Sequence, residues 1–183
     1  MDDTLRYPIG DFQPPEALGP NDREGLIRQI EEAPGHLRRA LAGLGPEQLD
    51  TPYRPAGWTL RQVAHHLPDS HLNAYVRFRL ALTEDVPVIK PYEEARWAEL
   101  ADARTAPVDL SLDLLDAIHR RLTLLLQSLE PENWARTLSH PKSGIMSLDR
   151  LLALYAWHGR HHVAQIDALR RRLGWSGVAV SRA

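Results

Sequence analysis

The stretch Trp157-His158-Gly159-Arg160-His161-His162 lies in the middle of a long segment whose apolar residues recur at helical spacing. His158 and His162 occupy two positions of the apolar stripe that otherwise faces a core. Because a helix turns every 3.6 residues, these two imidazoles stack on one face, close enough to share a metal ion. Two buried histidines that are hydrogen-bonded to side chains or water would account for the stripe equally well.

Four segments with helical periodicity predict an all-α four-helix bundle. The second has a capping-box sequence at its start, and the first contains Pro34-Gly35, where we expect a kink or a short break. The β-branched residues are sparse and scattered, so we expect negligible sheet content. The first predicted helix begins at Asp22, and the second runs from Thr59 to about Leu82. The third runs from about Leu112 to Leu129, and the fourth runs from near Ser147 to Gly174.

The length of the chain predicts one domain over residues 1–183, because 183 residues can bury one sizeable core. Residues 1–20 contain too many helix breakers for a helix and are interpreted as an extended arm that docks on the surface. The segment from Glu84 to Val108 is rich in Pro, Glu and Ala. It predicts a long crossover between the second and third helices, with one short helix around Glu93 to Leu100.

The composition excludes several kinds of site. The chain has no cysteine, so a disulfide, a thiolate ligand and a cysteine nucleophile are impossible, and thiol chemistry would need a thiol from outside. A net charge of -2 provides no basic field, so we expect no nucleic-acid partner. The start of the chain lacks a secretion signal and the longest apolar run, Leu151 to Trp157, cannot span a bilayer. We therefore expect a soluble, cytoplasmic protein without a membrane partner.

The second predicted helix offers a third histidine at Ala64-His65-His66. His66 lies on a small and partly polar face with Ser70 and Asn73, which suits a site better than a core. His65 and His71 point at other angles, and a solvated or locally hydrogen-bonded ring is the favoured interpretation of both. His161 lies on the flank of the stripe, and no ligand spacing is found at the remaining histidines, His36, His119 and His140.

Three histidine ligands leave one position of a tetrahedral zinc ion open, as in catalytic sites. Imidazole also binds nickel, copper and iron, and zinc is the default choice. A ligating histidine usually donates its second ring N–H to a neighbour, and Asp69 and Gln165 lie three residues after His66 and His162. Asp69 could instead be a fourth ligand or a general base.

Two motifs carry a resemblance to a known family. The stretch Gly57-Trp58-Thr59-Leu60-Arg61-Gln62-Val63-Ala64-His65-His66-Leu67, together with Tyr155-Ala156-Trp157-His158-Gly159-Arg160-His161-His162 and Gln165-Ile166, resembles the DinB-like superfamily. Within it the chain is similar to the YfiT subfamily of metal-dependent hydrolases, which includes bacillithiol S-transferases. The resemblance implies a four-helix bundle, commonly a homodimer, that holds Zn²⁺ or Ni²⁺ through His66, His158 and His162.

Three functions follow from this resemblance and the histidine pattern. The preferred one is a transferase that ionises a low-molecular-weight thiol on the metal and delivers it to an electrophile or xenobiotic. The alternative is a hydrolase that uses metal-bound hydroxide, with Asp69 as the base. The third is a binding or stress-response protein in which the metal only joins two helices. A small-molecule substrate is expected in the first two, with candidate polar contacts at Tyr53, Arg54, Asn73 and Arg77.

Overall fold

The elements that position the site lie within residues 4–175, which the computed structural model describes. The domain limits of 1–183 therefore stay a prediction, because residues 1–3 and 176–183 lie outside that range. Four long helices confirm the predicted bundle. The elements are α1 (Pro20–Leu41), α2 (Pro46–Leu49), α3 (Leu60–Thr83), α4 (Glu94–Trp97), α5 (Ala101–Thr105), α6 (Val108–Gln127), a 3₁₀ turn (Pro131–Ala135), β1 (Thr137–His140), β2 (Gly144–Ser147) and α7 (Leu148–Arg172).

Helices α3 and α6 run in the same direction. His65 is hydrogen-bonded to Ser111 and His71 to His119, so both helices advance together along the bundle. Two parallel neighbours need a connection that returns along their length. Residues 84–107 provide it, which confirms the predicted crossover. This connection contains the two short helices α4 and α5 instead of the single one expected.

Helices α1 and α7 are also parallel. Arg23 near the start of α1 binds Asp149 near the start of α7, and Arg170 near the end of α7 donates to the carbonyl of Ala40 near the end of α1. Helix α7 runs antiparallel to α3, which brings the first histidines of α3 opposite the last histidines of α7. The site therefore lies where these two helices face each other.

Helix α1 continues through Pro34 without interruption, so the expected short break is not found. A proline lacks the N–H that would bond to the carbonyl four residues earlier, which belongs here to Ile30. His119 of α6 donates to that carbonyl instead. The lost helical bond is thus replaced by one from a neighbouring helix, and α1 continues to Leu41.

A short antiparallel hairpin corrects the expectation of negligible sheet content. Strands β1 and β2 pair Leu138 with Met146, and both side chains are buried. Each strand has only four residues, too few for a period of two to stand out in the sequence. The hairpin matters because it carries His140 and Lys142 to the edge of the cavity described below.

The apolar core consists of two clusters, one towards each end of the bundle. One cluster contains Ile27, Phe78 and Leu122, and the other contains Leu37 and Leu115. Along α3, α6 and α7, four histidines lie between residues of the two clusters, namely His71, His119, His158 and His162, and His66 lies next to Leu67 of the second cluster. The bundle therefore has a layer of imidazoles at its middle, and we call these five rings the histidine layer.

The N-terminal arm packs on helix α7. Its described part, residues 4–19, contains no helix or strand before α1. The Tyr7 ring lies 5.6 Å from His161, and the Phe12 ring lies 5.9 Å from Trp157, measured between ring centroids. Among residues 4–175, none of the helices combines the length and apolar character needed to cross a lipid bilayer.

Candidate metal centre

The structure brings together the three histidines that the sequence singled out. One ring nitrogen from each of His66, His158 and His162 lies within 4.8 Å of the other two. His158 Nε2 is 3.3 Å from His66 Nε2 and 3.2 Å from His162 Nε2. Three nitrogens that bind one tetrahedral zinc ion at about 2.0–2.1 Å would lie about 3.3–3.4 Å apart. The two distances from His158 Nε2 agree with that arrangement.

The orientation of His162 is fixed by Gln165, one turn further along α7. His162 Nδ1 lies 2.9 Å from Gln165 Oε1, which can only accept, so Nδ1 carries the proton and Nε2 carries the lone pair. The Gln165 amide cannot be reversed, because its Nε2 donates to the carbonyl of Arg6 at 2.8 Å. The same Nε2 lies 2.9 Å from His161 Nε2. Gln165 thus occupies the place that the sequence indicated for it.

The donor set fits a divalent transition metal. Burial lowers the pKa of His66, His158 and His162 well below the ordinary value, so the rings are neutral bases near pH 7. His162 Nε2 carries a lone pair and lies 3.2 Å from His158 Nε2, so a cation between these two nitrogens would be attracted by unprotonated ring nitrogens. Neutral imidazoles are good ligands for zinc and nickel. The neutral rings and the spacing of their nitrogens therefore favour a bound metal ion over a set of hydrogen-bonded rings.

Two histidines without ligand spacing lie directly behind the site. His158 Nδ1 is 3.2 Å from His71 Nε2, and His71 Nδ1 is 2.8 Å from His119 Nε2. His119 was missed in the sequence although it falls on the apolar stripe of α6, between Leu115 and Leu122. A histidine at a core position was the available signal, but its partner on another helix could not be known.

The remaining predicted residues on α3 take different places. The Trp58 ring packs against His66 with centroids 4.7 Å apart. His65 and His71 were expected to be solvated or locally hydrogen-bonded, but both rings are buried and bonded to residues of α6, Ser111 and His119 respectively. Burial and the nearby Asp102 raise the pKa of Asp69 to about 6. Within residues 4–175, however, the Asp69 carboxylate neither bonds to His66 nor lines the cavity, so its role as ligand or base stays a prediction.

A cavity of about 560 Å³ opens beside the three histidines. Its lining includes four cationic side chains and one carboxylate, that of Glu94. Of the residues proposed for a polar substrate, Tyr53, Arg54 and Arg77 line it, whereas the Asn73 amide donates to the carbonyl of Asp69 at 2.8 Å. The cavity therefore carries an excess of positive charge. The four cations are Arg6, Arg54, Arg77 and Lys142.

Known proteins are similar to this chain in sequence and in fold. A protein-family model described as the DinB superfamily matches residues 29–166. The chain belongs to the DinB superfamily. Within this superfamily, relatives from Bacillus mycoides strain KBAB4 and Bacillus cereus strain B4264 are each 52% identical over 171 residues, covering 93% of this chain and 98% of the relative. Both bear the name "Putative metal-dependent hydrolase".

Two solved structures of four-helix bundle proteins extend the comparison. YfiT from Bacillus subtilis, described as a probable metal-dependent hydrolase with an unusual four-helix bundle topology, is 46% identical with a TM-score of 0.93. The match covers 94% of this chain and 99% of YfiT. A second four-helix bundle protein, 22% identical with a TM-score of 0.53 over 84% of this chain and 99% of its own, shares the fold alone.

Proposed function

We propose that this protein is a zinc-dependent enzyme that transfers an anionic low-molecular-weight thiol, of the bacillithiol type, to an electrophilic carbon. His66, His158 and His162 would hold the metal. The observation that carries the proposal is the convergence of three neutral imidazoles at the wall of a cavity with four cationic side chains. The names of the Bacillus relatives support metal dependence, and the resemblance to thiol transferases supports the finer assignment.

A divalent ion held by three histidines can lower the pKa of a coordinated thiol or water and so supply a nucleophile near neutral pH. In the transfer, an S–C bond forms while the bond between that carbon and its leaving group breaks. The thiol proton and the leaving group pass to solvent. Cationic side chains of the cavity attract and orient the anionic thiol beside the histidines.

The protein itself would contribute binding and orientation. Arg54 is held by bonds from its guanidinium to the Tyr53 hydroxyl at 3.0 Å and to the carbonyl of Pro55 at 3.0 Å. Arg77 donates to the Tyr155 hydroxyl at 2.8 Å. Each guanidinium is therefore pre-oriented at the cavity wall, which reduces the entropy lost when an anion binds.

Hydrolysis of an ester or amide is the second candidate, because the relatives are named as hydrolases. A hydrolase of this kind commonly uses a carboxylate base beside the metal, and Glu94 is the one carboxylate found in the described lining of the cavity. Thiol transfer needs no such base once the thiol is ionised. The excess of positive charge and the scarcity of carboxylates favour transfer.

The test combines metal analysis with a conjugation assay. Purified protein, a His162→Ala variant and a His36→Ala variant are compared for bound metal and for coupling of bacillithiol to an electrophilic fluorogenic dye. His36 is an exposed residue of α1 that does not line the cavity, so it serves as the matched control. We expect about one metal per chain and metal-dependent coupling in the wild type and the control, and loss of both in His162→Ala.

The other outcomes separate the competing functions. Bound metal with ester or amide cleavage but no coupling would replace thiol transfer by hydrolysis. Bound metal with neither activity would favour a metal that only joins α3 and α7. Failure of the wild type to bind zinc or nickel after reconstitution would overturn the metal-dependent assignment itself.

A further inference from the structure

The carbonyl of Ile30 is available to another helix because of a proline. In a regular helix this oxygen would accept from the N–H of residue 34, and Pro34 has none. His119, which is 1% exposed, fills this gap through its Nδ1. A carbonyl oxygen can only accept, so the proton between the two groups belongs to His119 Nδ1.

The position of this proton determines the protons further along the chain of rings. A neutral imidazole has one donor and one acceptor, so His119 Nε2 must accept, and His71 Nδ1 donates to it at 2.8 Å. His71 Nε2 is then the acceptor for His158 Nδ1 at 3.2 Å. The neutral state suits all three rings, since a cationic ring would need two acceptors in this buried layer.

The last step fixes the face that His158 presents to the metal. With its proton on Nδ1, His158 has its lone pair on Nε2, the atom that lies 3.2–3.3 Å from the other two ligand nitrogens. The opposite tautomer would place an N–H between the ligands and exclude the ion. The Ile30 carbonyl, two rings away from His158, therefore sets the direction of these hydrogen bonds so that His158 Nε2 can coordinate a metal ion.

We propose that His119 and His71 are positioning residues. Because the Ile30 carbonyl can only accept a hydrogen bond, these two rings hold His158 in the tautomer with its proton on Nδ1, which strengthens metal binding. This inference rests on the proposed metal site. It assigns a role to two histidines that touch neither the ion nor the cavity. His162 reaches the same tautomer through a single side chain, that of Gln165. Partners of this kind typically change metal affinity by about 10- to 100-fold.

The tautomers can be observed directly in the metal-free wild type. Long-range proton–nitrogen NMR correlations on ¹⁵N-histidine-labelled protein at pH 7 distinguish a protonated from an unprotonated ring nitrogen. We expect the proton on Nδ1 in His119, His71 and His158. A proton on Nε2 of His158 would overturn the proposal, whether or not the protein is an enzyme, because the measurement requires neither substrate nor metal.

Metal affinity then tests the consequence, by competition with a chromophoric zinc chelator. His119→Leu removes the acceptor for His71 and should weaken zinc binding about 10-fold. His119→Gln keeps an acceptor oxygen near the place of Nε2 and should restore most of the affinity and the Nδ1–H signal of His158. His65→Leu is the matched control, since His65 is a buried histidine of α3 bonded outside the chain of rings.

The results separate positioning from general packing. Equal affinities in His119→Leu and the wild type would overturn the proposal, as would an equal loss in His119→Gln and His119→Leu. If His119→Leu does not fold, the wild-type tautomers and the affinity of His119→Gln still decide the matter. A wild type that binds no metal would contradict the proposed function, whereas the tautomer of His158 would still be measured.

Discussion

At the scale of single residues, the chemistry of the site depends on oxygen atoms that can accept a hydrogen bond from a histidine but cannot donate one. The Ile30 carbonyl at the end of one chain of bonds and the Gln165 carboxamide at the end of another both act as acceptors towards the histidines. Each leaves an Nε2 lone pair free at the place where the ligands meet. Substitutions that keep a hydrogen-bond acceptor at these positions should preserve the site. Substitutions of similar shape that remove the acceptor should weaken it.

Replacement of Gln165 by Leu should weaken zinc binding about 10- to 100-fold, because His162 loses the acceptor for its Nδ1 proton. Competition with a chromophoric chelator measures the effect. Gln29→Leu is a suitable control, since Gln29 lies on α1, does not line the cavity and has a buried Oε1 without a partner in the described structure. An affinity in Gln165→Leu equal to that of the control would contradict the assignment.

Replacement of Arg54 by Met should lower kcat/KM for an anionic thiol about 10- to 100-fold, since a charged hydrogen bond is worth about 1.5–3 kcal/mol. The metal content should not change, because the guanidinium bonds to Tyr53 and Pro55 and not to a histidine. Steady-state conjugation with bacillithiol and with the uncharged 2-mercaptoethanol checks this. A similar loss with both thiols would show that Arg54 does not act through charge.

At the scale of elements, helix α3 is positioned by its first turn. The Thr59 hydroxyl accepts from the N–H of Gln62 at 3.2 Å, and the Gln62 carboxamide accepts from the N–H of Thr59 at 2.9 Å. The Gln62 amide also donates to the carbonyl of Ala98 at 2.7 Å, which links α3 to the crossover. This cap lies two turns before His66 and sets the start of the helix that carries it.

Thr59→Ala should therefore lower the free energy of unfolding by about 1 kcal/mol, the usual value of such a cap. Thr59→Ser retains the hydroxyl and should lose much less. Urea denaturation of the two variants in the presence of chelator gives the comparison without a contribution from metal. Equal stability of Thr59→Ala and Thr59→Ser would mean that the hydroxyl does not stabilise α3.

The elements also show how far sequence reasoning reaches. Helix periodicity and the capping box predicted α3 closely, because both signals are local. The continuity of α1 through Pro34 was not predictable, since the group that replaces the lost bond comes from His119, far away in sequence. The hairpin was missed for a different reason: strands of four residues are stabilised by packing of Leu138 and Met146 and leave no periodic pattern.

The same distinction applies to the site. The pair His158 and His162 could be recognised from spacing on one helix, and His66 was indicated by its small, partly polar face and by the resemblance. The contacts of His71 and His119 join three helices, so no local pattern encodes them. Asp69 shows the converse: its spacing from His66 was suitable, yet its carboxylate does not line the described cavity. Spacing locates residues on a face, whereas the crossing of helices decides which faces meet.

At the scale of the whole molecule, the histidine layer divides an otherwise apolar core. Buried imidazoles are tolerated there because they bond to one another and to the backbone, which avoids the cost of unpaired polar groups. These bonds link all four long helices at the level of the histidine layer. It also makes the folded state sensitive to protons, since every added proton must enter a buried network.

The metal-free protein should lose stability steeply as the pH falls below about 6.5. Burial lowers the pKa of His119 and of His161 to about 4 in the folded state, against about 6.5 when unfolded. The unfolded chain therefore binds protons that the folded chain does not, and each such group lowers the free energy of unfolding by about 1.4 kcal/mol per pH unit between these values. Asp69, with its pKa raised to about 6, acts in the opposite direction.

Two histidines against one carboxylate leave a net loss of roughly 1 kcal/mol between pH 6 and pH 5, because solvent near His161 and Asp69 weakens both of their contributions, and the buried ligand histidines add to this loss. Urea denaturation with chelator at pH 7.5, 6 and 5 measures it. His119→Gln should reduce the dependence by about 1.4 kcal/mol per pH unit, because it removes one of the groups. A free energy of unfolding that stays constant from pH 7.5 to 5 would contradict the expectation that these buried histidines stay neutral in the folded protein.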